Sequence, residues 1–261
     1  IVISKSGSTL ETIVNQNIFS NSKKLFITEN RKSYLMDLAL KLKSDIVEHR
    51  NFVGGRYSVL SEVGMLPAEL LGLKSEKFKK FDYLIKNKKF INSLIENVSS
   101  TVSLINKKKL NSIILNFDEN SEDLFKWYQQ LISESLGKKS KGLLPVVSNL
   151  PRDNHSMMQL YLDGPKNSFY TFFDVLDHPK KNYLANIKLA QKKATQIVFK
   201  KKQIPFRTFD LINRSEDSLG EMFTFFMLET ILLGEAIKVN PFDQPSVELI
   251  KTETKKILKN L

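Results

Sequence analysis

Short apolar runs alternate along this chain with longer amphipathic ones, and that alternation restricts the fold more than any other feature. Candidate strands lie at Ile1–Ile3, Lys24–Thr28, Ser112–Phe117, Leu143–Val147, Phe169–Val175 and Thr208–Ile212. Helical periodicity follows at Leu10–Asn17, Tyr34–Leu42, Asp123–Leu136, His155–Tyr161, Leu219–Lys238 and Ser246–Leu258. The connections are short, as α/β crossovers require. The pattern predicts an α/β protein with largely parallel sheets flanked by helices. A polar, lysine-rich helical stretch over 76–106 reads as a connection between a first unit, 1–75, and a second, 107–261. A length of 261 residues suits one large domain or two modest ones. With 41% apolar and 26% charged residues, wholesale disorder is excluded.

Several function classes drop out. The most apolar run, Met222 to Leu233, is interrupted by Glu229 and bracketed by Glu221 and Glu235, too short and too charged to span a bilayer. Ile1-Val2-Ile3 leads straight into a polar turn and does not read as a signal peptide. Cysteine is absent, so no disulfide framework or thiolate metal site is expected, and a reducing, cytoplasmic location fits. His49, His155 and His178 are too far apart for a local metal motif. Forty Lys and Arg against 28 Asp and Glu give a net charge of +12, which suits nucleic acid, an anionic membrane or a phosphorylated small molecule. Nucleic-acid binding calls for aromatic residues among the positive charge. Here the aromatics fall in apolar runs such as Phe169–Phe173 and Phe223–Phe226, which read as core. The dispersed lysines read as ordinary surface, and neither nucleic acid nor membrane is expected as a partner.

Five segments carry possible chemistry. In Ser4-Lys5-Ser6-Gly7-Ser8-Thr9 a strand ends and hydroxyl residues around a glycine open a helix, a setting for a phosphate monoester. The Walker A pattern is missing, and the alternative is a plain capping box, Ser8-x-x-Glu11. Gly54-Gly55-Arg56 permits close backbone approach to a ligand with a guanidinium beside it, or is a turn with a surface arginine. Gln130 and Glu134 stand four apart on one helical face, where most glutamates are simply solvated. His155 opens a helix after a strand and a proline turn, where sheet enzymes place ligand groups, although most histidines are structural or surface residues. The turn Asn240-Pro241-Phe242-Asp243-Gln244 opens the last helix, and composition does not single out Lys251 within it.

Taken together and in order, ISKSGSTLET, FVGGRYSVLSEVGMLPA, YQQLISESLGK, LLPVVSNLPRDNHSMMQLYLDGP and SLGEMFTFFMLETILLGEAIKVNPFDQPSVELIK resemble the glucose-6-phosphate isomerase family, built from two sugar isomerase (SIS) domains. The resemblance spans nearly the whole chain and implies doubly wound parallel sheets. It implies that Ser4, Ser6 and Thr9, with Lys5 beside them, hold a sugar phosphate, Ser6 standing where threonine is common. It implies that Glu134 moves the proton between C1 and C2 with Gln130 lining the pocket, and that Arg56, with Gly55 alongside, stabilises a cis-enediolate. His155 is implicated in ring opening, and Gln244 and Lys251 match the glutamine and lysine of the last motif, the lysine at the ring oxygen. The family's histidine serves the neighbouring subunit, which implies a homodimer, and no cofactor or metal is implied.

These residue types suit the reaction. Aldose–ketose interconversion removes a weakly acidic proton beside a carbonyl and returns it to the adjacent carbon, so one carboxylate over both carbons suffices. A positioned base typically contributes about 10²–10⁴ in rate. The enediolate oxygen needs a cation that keeps its proton, which favours Arg over Lys, and ring opening suits a group that titrates near neutrality, the natural use of His. A glycine-rich G-I-G-G-S stretch that the family carries upstream of I-S-K is missing. An incomplete first domain and a complete second one are therefore expected, with this polypeptide alone unstable or inactive and activity belonging to a longer parent. The competing reading is a non-catalytic SIS module that binds a sugar phosphate and has no need of Glu134, Arg56, His155 and Lys251.

Overall fold

The computed structural model describes residues 1–19, 22–177 and 183–258. The first sheet is parallel, in the order β1 (Val2–Ile3), β2 (Leu25–Thr28), β3 (Asp45–Glu48). Helices α1 (Leu10–Ile18) and α2 (Tyr34–Lys41) make its crossovers. Phe26, Leu35 and Ala39 form its buried core, packed against Val2, Ile13, Leu38 and Ile46. A 3₁₀ turn, Gly55–Leu60, leads into α3 (Glu62–Leu70), whose first turn is capped by the Ser61 hydroxyl accepting from the Val63 N–H.

The second sheet is also parallel, in the order β5 (Leu144–Asn149), β4 (Asn111–Asn116), β6 (Ser168–Val175), β7 (Phe206–Leu211). The chain leaves β4 first to one side and then to the other, so the carboxyl end of β4 is a topological switch point, where open α/β sheets place their ligands. Alternation along the strands divides the core between two faces. Ile114, Phe169, Phe173 and Val175 point to one, and Ile113, Leu115, Tyr170 and Phe172 to the other. The first face carries α7 (Glu122–Leu136) and α11 (Glu216–Ala236), and residues of α9 (Met158–Asp163) and α10 (Tyr183–Lys201) close the second. The short α8 (Asp153–Ser156) precedes α9, and α12 (Val247–Leu258) follows the Pro241–Gln244 turn.

The 76–106 stretch contains most of α4 (Ser75–Phe78), then α5 (Phe81–Leu84) and α6 (Lys88–Asn106). Leu84, Phe90 and Leu94 lie in the core with α7 and α11, so this segment covers the second sheet as well as connecting the units. Contact between α4 and α11 is made at Gly220, where an added Cβ would lie 2.3 Å from the Phe78 carbonyl oxygen. In an open helix Gly→Ala gains about 1 kcal/mol, but here backbone blocks the methyl. Gly220→Ala is expected to destabilise the protein by about 1–3 kcal/mol, read from its urea midpoint; an unchanged or higher midpoint would show that α4 yields.

Strand β3 and helices α3 and α10 were not foreseen, and α3 carries Pro67 within it. Strand β3 is a four-residue Asp-Ile-Val-Glu whose side chains are at best half-buried. Helix α10 buries only Lys192 and Phe199 among its described side chains. The helix expected over His155–Tyr161 breaks at Met157 into α8 and α9.

Candidate active site

At the end of β1 the hydroxyl loop folds on itself. Ser4 Oγ and Thr9 Oγ1 share a hydrogen bond of 2.8 Å, and Ser6 Oγ accepts from the Ser8 backbone N–H and hydroxyl at 3.3 and 3.1 Å. The capping box offered by Ser8 and Glu11 is not formed, because Thr9 is the N-cap and its side chain caps nothing. The first turn of α1 therefore has no side-chain cap at its N-terminus, and hydroxyls stand beside it. Gly7 sits at φ +63°, and a Cβ there would come 2.1 Å from Ser33 Oγ, the hydroxyl that caps α2. Glycine is what lets this loop close against the second helix.

Lys5 turns toward a different segment. Its ammonium donates to the carbonyls of Asn51 and Val53, both at 2.8 Å, and lies 3.5 Å from Glu29. The hydroxyl loop is thus tied to the chain just before Gly54-Gly55-Arg56. Facing the loop across a cleft of about 560 Å³ is α12, with Lys251 in the lining. Arg31 lines the same cleft and pairs with Glu29 at 2.7 Å. No motif in the sequence singles out Arg31.

Around Arg56, segments far apart in sequence converge. Arg56 is 4% exposed. Its Nε donates to Ser135 Oγ at 2.8 Å, Nη1 to Glu134 Oε2 at 3.1 Å and Gln244 Oε1 at 3.2 Å, and Nη2 to the carbonyls of Pro241 at 2.7 Å and Asp243 at 2.9 Å. Gln130 Nε2 donates to the other carboxyl oxygen of Glu134 at 2.9 Å, the pairing that a four-residue helical spacing permits. Trp127 Nε1 holds the Arg56 carbonyl at 2.9 Å. Tyr57 bridges Ser135 Oγ and the Pro241 carbonyl at 2.9 and 3.2 Å, and burial pushes its pKa up. Over Gly55 an added Cβ would meet nothing within 4 Å, so that side is open.

Lys138, just past the end of α7, reaches the loop that supplies the two carbonyls. Its ammonium pairs with Asp243 at 2.7 Å, which holds that carboxyl below its ordinary pKa, and also donates to the Asn240 carbonyl. Sequence reasoning singled out Arg56, Glu134, Gln130 and Gln244 but missed Ser135, Tyr57, Trp127 and Lys138. The backbone carbonyls of 241 and 243 have no side-chain signature at all.

His155 is not brought to this cluster. It lies exposed on α8 just past the carboxyl end of β5, and its side chain makes no hydrogen bond among the described residues. Asp153 anchors that turn, accepting from Ser148 Oγ at 3.0 Å and the Asn149 N–H at 2.9 Å. Burial raises the Asp153 pKa, but these bonds and Arg152 outweigh it and hold the carboxyl below its ordinary value. His178 lies outside the described residues. No helix among the described residues is long and apolar enough to cross a membrane.

No protein-family model matches the chain. Among curated proteins it is 32% identical to a glucose-6-phosphate isomerase of Mycoplasmopsis pulmonis, covering 98% of this chain and 68% of that one. It is 30% identical to a glucose-6-phosphate isomerase of Methanocaldococcus jannaschii, covering 98% and 69%. Among solved structures, a Thermus thermophilus protein described as hypothetical superposes with a TM-score of 0.82 at 25% identity, over 98% of this chain and 70% of that one. A glucose-6-phosphate isomerase from Chlamydia trachomatis shares the fold, with a TM-score of 0.78 at 18% identity over 98% and 58%.

Proposed function

Because the chain belongs to the glucose-6-phosphate isomerase family, we propose that it interconverts glucose 6-phosphate and fructose 6-phosphate through a cis-enediolate. The observation that carries this reading is the convergence of Glu134, Gln130 and Gln244 on one buried arginine, Arg56. A module that only bound a sugar phosphate would have no use for a carboxylate held against a guanidinium.

The phosphate docks on Ser4, Ser6 and Thr9 at the N-terminus of α1, with Lys5 behind them, and supplies binding energy remote from the reacting carbons. The Glu134 carboxylate takes the C2 proton of the open-chain aldose as electrons move to O1, and returns it to C1 while the O2 proton passes to O1. Of the five Arg56 N–H bonds, the two on Nη1 go to side chains and can be exchanged for an enediolate oxygen. Those on Nε and Nη2 go to Ser135 and to two backbone carbonyls and keep the guanidinium in place. Gln244 and Gly55 line the reacting end, and Lys251 reaches the ring oxygen from α12. His155, remote from this cluster, is assigned to ring opening in the neighbouring subunit's site of a cytoplasmic homodimer.

Solvent exchange tests the route, using the protein as produced from its gene. In D₂O the fructose 6-phosphate formed should carry deuterium at C1 and recovered glucose 6-phosphate deuterium at C2, because the proton on Glu134 exchanges with solvent during the lifetime of the enediolate. Interconversion without any uptake at either carbon would overturn the enediolate. Binding of the sugar phosphate with no interconversion would favour the non-catalytic module.

A further inference from the structure

His49 is 1% exposed and belongs to none of the groups assigned above. It follows β3 directly, and both of its ring nitrogens are engaged: Nδ1 with the Glu62 carboxylate at the start of α3, and Nε2 with the Val53 carbonyl at 3.2 Å. Since a carbonyl only accepts, Nε2 carries a proton and donates it. Val53 O is also one of the two carbonyls that receive the Lys5 ammonium. One backbone oxygen, three residues before Arg56, is therefore gripped from the phosphate side by Lys5 and from the core side by His49. Burial raises the Glu62 pKa, but His49 and backbone hydrogen bonds together outweigh it and hold the carboxyl beside the ring below its ordinary value.

We propose that His49 is a positioning residue for the Gly54–Arg56 turn, fixing through the Val53 carbonyl the separation between the hydroxyl loop that takes the phosphate and the Arg56–Glu134 pair that takes the carbons. The proposal rests on the isomerase reading and adds to it a determinant of where the reacting end of the sugar lies. A rigid span is needed because the phosphate is anchored at one end of the substrate and a displacement of about 1 Å at the other can lower the rate 10²-fold. Lys5 does not depend on His49, because its ammonium keeps the Asn51 carbonyl and Glu29. The two ends of the site should therefore respond differently when His49 is changed.

Two amide substitutions separate the two ring contacts. His49→Gln sets an amide N–H near the place of Nε2 and retains the bond to Val53, whereas His49→Asn sets one near Nδ1 and retains only the bond to Glu62. His49→Asn should lower kcat about 10- to 100-fold, while the inhibition constant of inorganic phosphate changes less than about 3-fold. His49→Gln should recover most of the kcat. Equal kcat in the Asn variant and the parent, or equal losses in the two variants, overturns the proposal, as does a loss confined to phosphate affinity. If His49→Asn does not fold, the Gln variant decides alone: kcat within about 3-fold of the parent supports the role, and a 10-fold or greater loss in a folded protein refutes it. Should the unsubstituted protein show no interconversion, the isomerase reading itself fails, which is a different result from any of these.

Discussion

Glu134→Gln should reduce isomerisation by roughly 10²–10⁴ while leaving the affinity for the sugar phosphate within about 3-fold of the parent. The substitution is nearly isosteric, and its neighbours can absorb it. The amide oxygen still accepts from Arg56 Nη1, and Gln130, which now donates to Glu134 Oε1, turns its own amide to accept from the new NH₂. What disappears is the lone pair able to take a proton from carbon. On the proposed reading the phosphate end, at Ser4, Ser6 and Thr9, dominates ground-state binding, and Glu134 makes no hydrogen bond to those residues. The expected signature is therefore a fall in kcat with little change in Kd, measured by coupled turnover and by calorimetry with fructose 6-phosphate. A variant that retained more than about a tenth of the turnover would place the base elsewhere. A variant that lost binding in proportion would make Glu134 a binding residue only.

The pairing of Glu134 with Gln130 was legible before any coordinates, because residues four apart on a helix share a face. The second sheet was legible for a similar reason, since its central strands, β4 and β6, are buried on both faces and read as largely apolar runs such as Phe169–Val175. The convergence on Arg56 was not legible from spacing. Its partners lie 78 and 188 residues away, and only the family resemblance suggested that they meet. Carbonyls leave no mark in a sequence, so the grip of Pro241 and Asp243 on the guanidinium was invisible, as was the tie from Lys5 to the 51–53 backbone. His49 is the sharpest case. On local grounds it was one histidine of three with no motif, and only tertiary packing reveals that it is buried with both nitrogens occupied. The hydroxyl loop went the other way: the pattern allowed a capping box, and the fold uses Ser8 to hold Ser6 instead, which leaves the helix terminus open.

Arg56→Lys should lower kcat/KM by roughly 10²–10³ and also destabilise the protein, although the charge is retained. A guanidinium presents five N–H donors in a planar fork, and here all five have partners, distributed over Ser135, Glu134, Gln244 and two backbone carbonyls. An ammonium has three donors radiating from a single point and cannot reach Ser135 on one side and the 241–243 carbonyls on the other. Tyr57 still donates to the Pro241 carbonyl and keeps its hydrogen bond with Ser135 Oγ, so the Asp243 carbonyl is the group left short. Leaving such a partly buried acceptor unpaired costs about 1–3 kcal/mol, which should appear as a lower urea midpoint. Lys138 still holds the 240–243 loop through Asp243 and the Asn240 carbonyl, so the loss is local and the protein remains folded. The catalytic loss follows from the same geometry, because an ammonium freed from its carbonyl anchors has no fixed position against the enediolate and must reorganise as that charge develops. Phosphate inhibition should be nearly unchanged, since the hydroxyl loop is tied down through Lys5 and not through Arg56. If Arg56→Lys matched the parent in kcat/KM, positive charge alone would suffice at this position, and the buried fork of hydrogen bonds would serve only to join the two units of the fold.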